Sequence, residues 1–105
     1  MRAVLFTAAL LLAPASASLA QSAPSNAFTV QDVAKTPRAP LLLDGVNWRC
    51  NAENICTGAG TPSQPAPRAC RRVAQRLGTP LASFTYRGTT LSAADLATCN
   101  QAAAG

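Results

Sequence analysis

Cys50, Cys56, Cys70 and Cys99 are the residues with the most chemical potential in this chain, and they are separated by five, thirteen and twenty-eight residues. Redox exchange relies on close pairs such as Cys-x-x-Cys, in which one sulfur tunes the thiolate of the other. The shortest interval here is too long for that motif. Structural zinc sites need short cysteine knuckles, and none occurs. The chain contains no histidine, so it lacks the commonest general base, proton shuttle and nitrogen ligand.

The acids are equally sparse. A paired-carboxylate hydrolase needs two convergent carboxyl groups, and the candidates are Asp32, Asp44, Glu53 and Asp95. Asp95 reads as a helix cap, and Asp44 and Glu53 read as turn residues. Only Asp32 is left without a structural role. Lys35, the one lysine, sits beside Thr36-Pro37 in an apparent solvated loop, and no motif directs a serine toward it. No catalytic residue, cofactor site or metal site is expected.

The remaining pattern is basic. Arg68, Arg72 and Arg76 recur every four residues, flanked by Arg71. Like charges at that helical spacing repel slightly. A row kept despite the repulsion suits contact with an anionic surface, although a solvated basic face that keeps a small protein soluble has the same form. Nucleic acid is not an expected partner, because no aromatic residues are interleaved for base stacking.

The N-terminus sets the compartment. Met1-Arg2, the apolar run Ala3 to Ala13 and the small-residue stretch Pro14 to Ala20 follow the order of a secretory signal peptide. Ser18 and Ala20 favour cleavage before Gln21, with Ala15-Ser16-Ala17 as a second site. No cysteine marks a lipoprotein anchor there. The run is too short for a membrane span, and no later stretch approaches the ~18 apolar residues that a spanning helix needs. The expected product is periplasmic or secreted and not membrane-spanning, with an anionic envelope surface or a periplasmic protein as partner.

Removal of the signal leaves 85 residues with eight basic and four acidic side chains, a net charge of +4. A domain this small buries only about 60 to 65% of its unfolded surface. In an oxidising compartment an even cysteine count then reads as a disulfide framework.

The elements that would position these residues are partly visible. Gln21 to Ala27 forms a loose polar lead, and one domain runs from Phe28 to Gly105. Phe28-Thr29-Val30 and Leu41-Leu42-Leu43 read as short strands. Asp44-Gly45 supplies a tight hairpin turn into Val46-Asn47-Trp48-Arg49-Cys50, where Val46, Trp48 and Cys50 share the inward face. Asn51 to Asn54 turns the chain back through Ile55-Cys56-Thr57. Gly58 to Pro67, with its glycines and prolines, reads as a connector that is neither helix nor central strand.

A helix follows, with Pro67 in its first turn and Gly78 just past its end. Ala69, Cys70, Val73, Ala74 and Leu77 fall on one side and the arginines on the other. Leu81 to Arg87 reads as a strand ending at Gly88, with Phe84 and Tyr86 on one face. Ser92 then caps a second helix that carries Leu96, Cys99 and Ala103 on its apolar side. Four cysteines allow three connectivities. The hairpin and the helix faces favour Cys50 with Cys56 and Cys70 with Cys99, bonds contributing about 2.3 and about 3.6 kcal/mol on the chain-entropy account.

From Trp48 to Asn100 the pattern Trp48-x-Cys50, Cys56, Cys70, Leu77-Gly78, Phe84, Leu91, Leu96 and Cys99-Asn100 resembles an uncharacterised group of small secreted four-cysteine proteins of Gram-negative bacteria. The resemblance implies export and disulfide linkage and adds no catalytic residue. Gln21 to Gly45 lies outside it.

The expected fold is α+β: short antiparallel strands in hairpins, then helix, strand and helix, linked by two disulfides. The expected function is that of an exported, non-enzymatic binding or accessory module with Arg68, Arg71, Arg72 and Arg76 as its contact. A thiol-disulfide participant and a purely structural envelope component are the alternatives. Mass spectrometry of the exported protein is expected to give a chain beginning at Gln21, with 50–56 and 70–99 cross-links in a non-reducing digest. Free thiols would return redox chemistry to the front.

Overall fold

The computed structural model describes residues 23–104; the export signal expected over residues 1–20 and the cleavage expected before Gln21 lie outside the described residues. Strands β1 (Ala27–Val30), β2 (Leu41–Leu43), β3 (Val46–Cys50) and β4 (Cys56–Gly60) precede helix α1 (Ala66–Leu77). Strands β5 (Leu81–Tyr86) and β6 (Thr89–Thr90) and helix α2 (Ala93–Asn100) follow. The strands make one antiparallel sheet in the order β2-β3-β4-β1-β5-β6. The protein is therefore an α+β domain, and two disulfides, Cys50–Cys56 and Cys70–Cys99, link its elements.

Local sequence explains most of these boundaries. Asp44 and Gly45 adopt φ of 53° and 82°, the paired left-handed conformations of a two-residue hairpin turn whose twist matches the strands it joins. Gly78 ends α1 in the left-handed region at φ 67°, donating its amide to the Ala74 carbonyl. Ser92 caps α2 by accepting from the Asp95 amide at 3.1 Å. Both sheet edges are short: β2 has three residues and follows Pro40, and β6 has two. Neither offers another chain a long unpaired edge.

One face of the sheet builds the core. Phe28, Val30, Val46, Trp48, Cys56, Leu81, Phe84 and Tyr86 are buried with Ala69, Cys70, Val73 and Ala74 of α1 and Cys99 of α2. Cys50 and Cys56 are directly opposed in the β3–β4 ladder. The Asn51 amide bonds the Ile55 carbonyl just beyond them, which makes this a non-hydrogen-bonded pair, the cross-strand position where side chains approach most closely. The second disulfide joins the buried faces of the two helices.

Several elements depart from the sequence expectation. The lead is shorter than 21–27: Ala27 is already paired in β1, and Asn26 is buried, accepting from the Arg87 amide at 2.9 Å and donating to the Gly58 carbonyl at 3.3 Å. The connector assigned to 58–67 gives up its first three residues to β4, a central strand. Its glycine there is a packing requirement, because a Cβ on Gly58 would stand 2.4 Å from Val46 Cγ1 and 2.9 Å from the Trp48 ring. The strand expected to run to Arg87 stops at Tyr86. Arg87 and Gly88, at φ 53° and 82°, make a second tight turn into β6.

Asp32 also acquires a role, accepting from the Ala34 amide at 3.1 Å to cap a short 3-10 helix over Val33–Lys35. Asn100 bonds both backbone groups of Leu81: Oδ1 accepts from the amide at 2.7 Å, and Nδ2 donates to the carbonyl at 2.9 Å. It thus docks the end of α2 onto β5 as a surrogate strand neighbour.

Gly58→Ala is expected to lower stability by about 1 to 3 kcal/mol, the usual cost of overpacking a filled core. Trp48 is the one tryptophan, so its emission during urea unfolding reports the change directly. An unchanged midpoint would mean that the indole does not rest on the glycine.

Candidate functional site

Helix α1 separates its residues by chemistry. Ala69, Cys70, Val73 and Ala74 are buried, while Arg68, Arg71, Arg72, Gln75 and Arg76 are exposed on the opposite side. No acidic residue lies in the helix. The four arginines of the sequence expectation are therefore gathered on one outward face, with Arg68, Arg72 and Arg76 on successive turns. The other cations of the described residues are dispersed: Lys35 ends the short 3-10 helix, Arg38 donates to the Asn54 side-chain oxygen at 2.7 Å, Arg49 is exposed on β3, and Arg87 lies in the β5–β6 turn.

The hairpin turn reaches this face. Arg72 Nε donates to Asp44 Oδ2 at 2.6 Å, the single ion pair among the described residues. Asp44 is held in place from the other side of the turn. Its carbonyl accepts from the Ser63 amide at 3.2 Å and the Ser63 hydroxyl at 3.0 Å, and the Gly45 carbonyl accepts from the Thr61 amide at 2.9 Å. The segment leading into α1 is thus stitched to the turn that carries the acid. The Asp44 side chain is 11% exposed and that of Arg72 44%, so water screens the pair and its contribution to stability is small, about 0 to 1 kcal/mol. Its larger effect is to orient Arg72.

Beside this pair an open hollow of about 320 Å³ is lined by Leu43, Arg72, Gln75 and Arg76. Sequence reasoning named the two arginines as contacts but gave Leu43, Gln75 and Asp44 no part in the site. Asp44 lies 28 residues from Arg72, and its local signal, the Asp-Gly turn, says nothing of a helix above it.

The described residues include no group of three or more His, Cys, Asp and Glu side chains arranged to hold a metal ion. All four cysteines are engaged in disulfides. No helix among the described residues is long and apolar enough to cross a membrane. With this geometry in view, the family can be stated: residues 6–101 match a family of unknown function, DUF8200. The chain belongs to that family. Neither the curated proteins nor the solved structures contain a match to it.

One polar group of this DUF8200 chain lies buried in the core. The Tyr86 residue is 1% exposed, and its hydroxyl has no hydrogen-bond partner among the described residues. Burial pushes its pKa above the ordinary 10.0, and the nearby charge of Asp44 acts in the same direction; the backbone of Gln64 and Ser63 and the charge of Arg87 oppose them in part.

Below about pH 10 the folded and unfolded chains both hold the proton, so the shift has no effect there. Above it the unfolded chain releases the proton first, and stability falls as pH rises through the raised value. Tyr86 is the one tyrosine, so tyrosinate absorbance follows it alone. Urea unfolding is expected to show lower stability at about pH 11 than at about pH 8, with a smaller loss in Tyr86→Phe. Tyrosinate formation at the ordinary pKa in the folded protein would place the hydroxyl in water instead.

Proposed function

We propose that this protein is an exported, non-enzymatic binding module of the periplasm or the cell exterior, with the arginine face of α1 as its contact with anionic envelope surfaces. The observation that carries this reading is the placement of Arg68, Arg71, Arg72 and Arg76 on one exposed face with no acid in the helix and only Arg72 paired among the described residues. Half of the eight basic residues beyond the signal are concentrated there. Such a field attracts anionic surfaces and is weakened by salt.

The remaining chemistry supports binding over catalysis. The chain has no histidine, and Cys56, Cys70 and Cys99 are buried as well as oxidised. The two disulfides suit an oxidising compartment, which supports the exported location.

A basic residue near an anionic bilayer contributes about 1 kcal/mol. The double reversal Arg68→Glu/Arg71→Glu is accordingly expected to weaken binding to phosphatidylglycerol-containing vesicles by at least about thirty-fold at low salt. Cosedimentation measures this. Unchanged association would sink the arginine-face reading.

A further inference from the structure

The four arginines share a face but do not share surroundings. Arg72 and Arg76 line the hollow against β2, whereas Arg68 and Arg71 do not. We infer that this hollow is a specific site for a phosphomonoester group, with Arg72 and Arg76 as its donors and Leu43 as an apolar seat for the adjoining part of the ligand. The inference rests on the anion-binding role proposed for α1 and names the group bound.

The geometry of Arg72 comes first. Asp44 Oδ2 accepts the hydrogen bond of its Nε at 2.6 Å, which leaves the terminal amino groups to donate elsewhere. A guanidinium binds anions best through a preorganised pair of N–H bonds, and Asp44 supplies that preorganisation. Since Asp44 also offsets the charge of Arg72, Arg76 provides the net attraction. Arg76 lies one turn further along, at the spacing that makes helix side chains neighbours. Gln75, between them in sequence, adds an uncharged amide to the rim.

These donors select the ligand's chemistry. A carboxylate offers two oxygens to two guanidinium groups, whereas a phosphomonoester offers three terminal oxygens and carries close to two charges at neutral pH. At about 320 Å³ the hollow stands at the lower end of the size of small-molecule sites. It suits a head group better than a large ligand. Leu43 is half-buried at its wall, and its methyl groups give an adjoining glycerol or acyl carbon a surface to cover. Leu43 thus serves the hollow with the side that does not pack against the core.

The test compares arginines of equal charge. Arg72→Gln and Arg76→Gln should each reduce binding to phosphatidylcholine vesicles containing phosphatidic acid by at least about tenfold, the effect of losing a charge-assisted hydrogen bond. Arg68→Gln and Arg71→Gln should each reduce it by no more than about fivefold, as expected for the loss of one diffuse surface charge. Leu43→Asn should weaken binding with no change in charge. Trp48 emission verifies that each variant is folded.

Glycerol 3-phosphate, followed by the arginine side-chain NMR signals, separates the sources of the group. Saturable shifts at Arg72 and Arg76 assign a free phosphomonoester as a sufficient ligand. Vesicle binding with the Arg72 and Arg76 preference but no such shifts assigns a lipid-borne one. Equal losses for all four arginine variants would overturn the hollow and leave the arginine face standing as a diffuse contact. Vesicle binding unaffected by every variant would overturn both.

Discussion

The indole of Trp48 lies against a strand position that has no side chain, and the arrangement of the sheet depends on that vacancy. Its ring meets Phe28 edge-on with centroids 5.0 Å apart and also approaches Phe84 at 6.0 Å and Tyr86 at 6.4 Å. Phe28 is on β1, and Phe84 and Tyr86 are on β5, while Trp48 is on β3. The strand between β3 and β1 is β4, which turns Cys56 and Gly58 toward the core. Small residues there leave a trough in which rings from both sides meet. A larger residue at Gly58 would separate β3 from β1 and β5 and divide the core.

The same shortage of side chains sets the position of the arginine face. A Cβ on Gly45 would stand 2.2 Å from the Thr61 carbonyl oxygen, and one on Gly60 would stand 2.3 Å from the Gly45 carbonyl oxygen. The chain leaving β4 therefore runs directly against the β2–β3 turn, where the Thr61 and Ser63 hydrogen bonds hold it. Helix α1 begins soon after, at a distance from which Arg72 reaches Asp44. At the other end of the β3–β4 ladder Cys50–Cys56 closes the hairpin, and Cys70–Cys99 ties α1 to α2. The helix is located by covalent and backbone constraints, and its outward side chains are left free of structural duty apart from Arg72.

Features specified within a few residues were legible in the sequence. Asp44-Gly45 needed only its own φ preferences, α1 its amphipathic period and terminal Gly78, and α2 its Ser92 cap. Those whose cause is remote were not. Gly58-Ala59-Gly60 has the composition of a loop and becomes a central strand because Trp48, ten residues earlier in the chain, needs a neighbour without a Cβ. Nothing local to Ala27–Val30 reveals that it inserts between β4 and β5, or that Asn26 ties it to the Arg87 turn. Asn100 belongs to the same class, since its partner Leu81 lies on another element. At the candidate site the four arginines were readable from helical spacing, while the contributions of Leu43, Gln75 and Asp44 depend on the hairpin folding up to meet the helix.

This distribution of constraints separates the interior of the protein from its surface. Inside, the aromatic cluster and the disulfides occupy the space. Thr36 and Tyr86 are the residues among those described that retain a buried side-chain oxygen without a partner. Outside, a row of like charges on α1 carries only the mild repulsion of exposed residues one turn apart, small beside the about 3.6 kcal/mol attributed to the longer disulfide loop. The fold can therefore hold the row in place without large compensation. Because α1 is fixed at Cys70 and oriented at Arg72, less conformational entropy is lost when an anion is bound than on a free helix of the same sequence. The cross-links that stabilise so small a core thus also preorganise the charges on its surface.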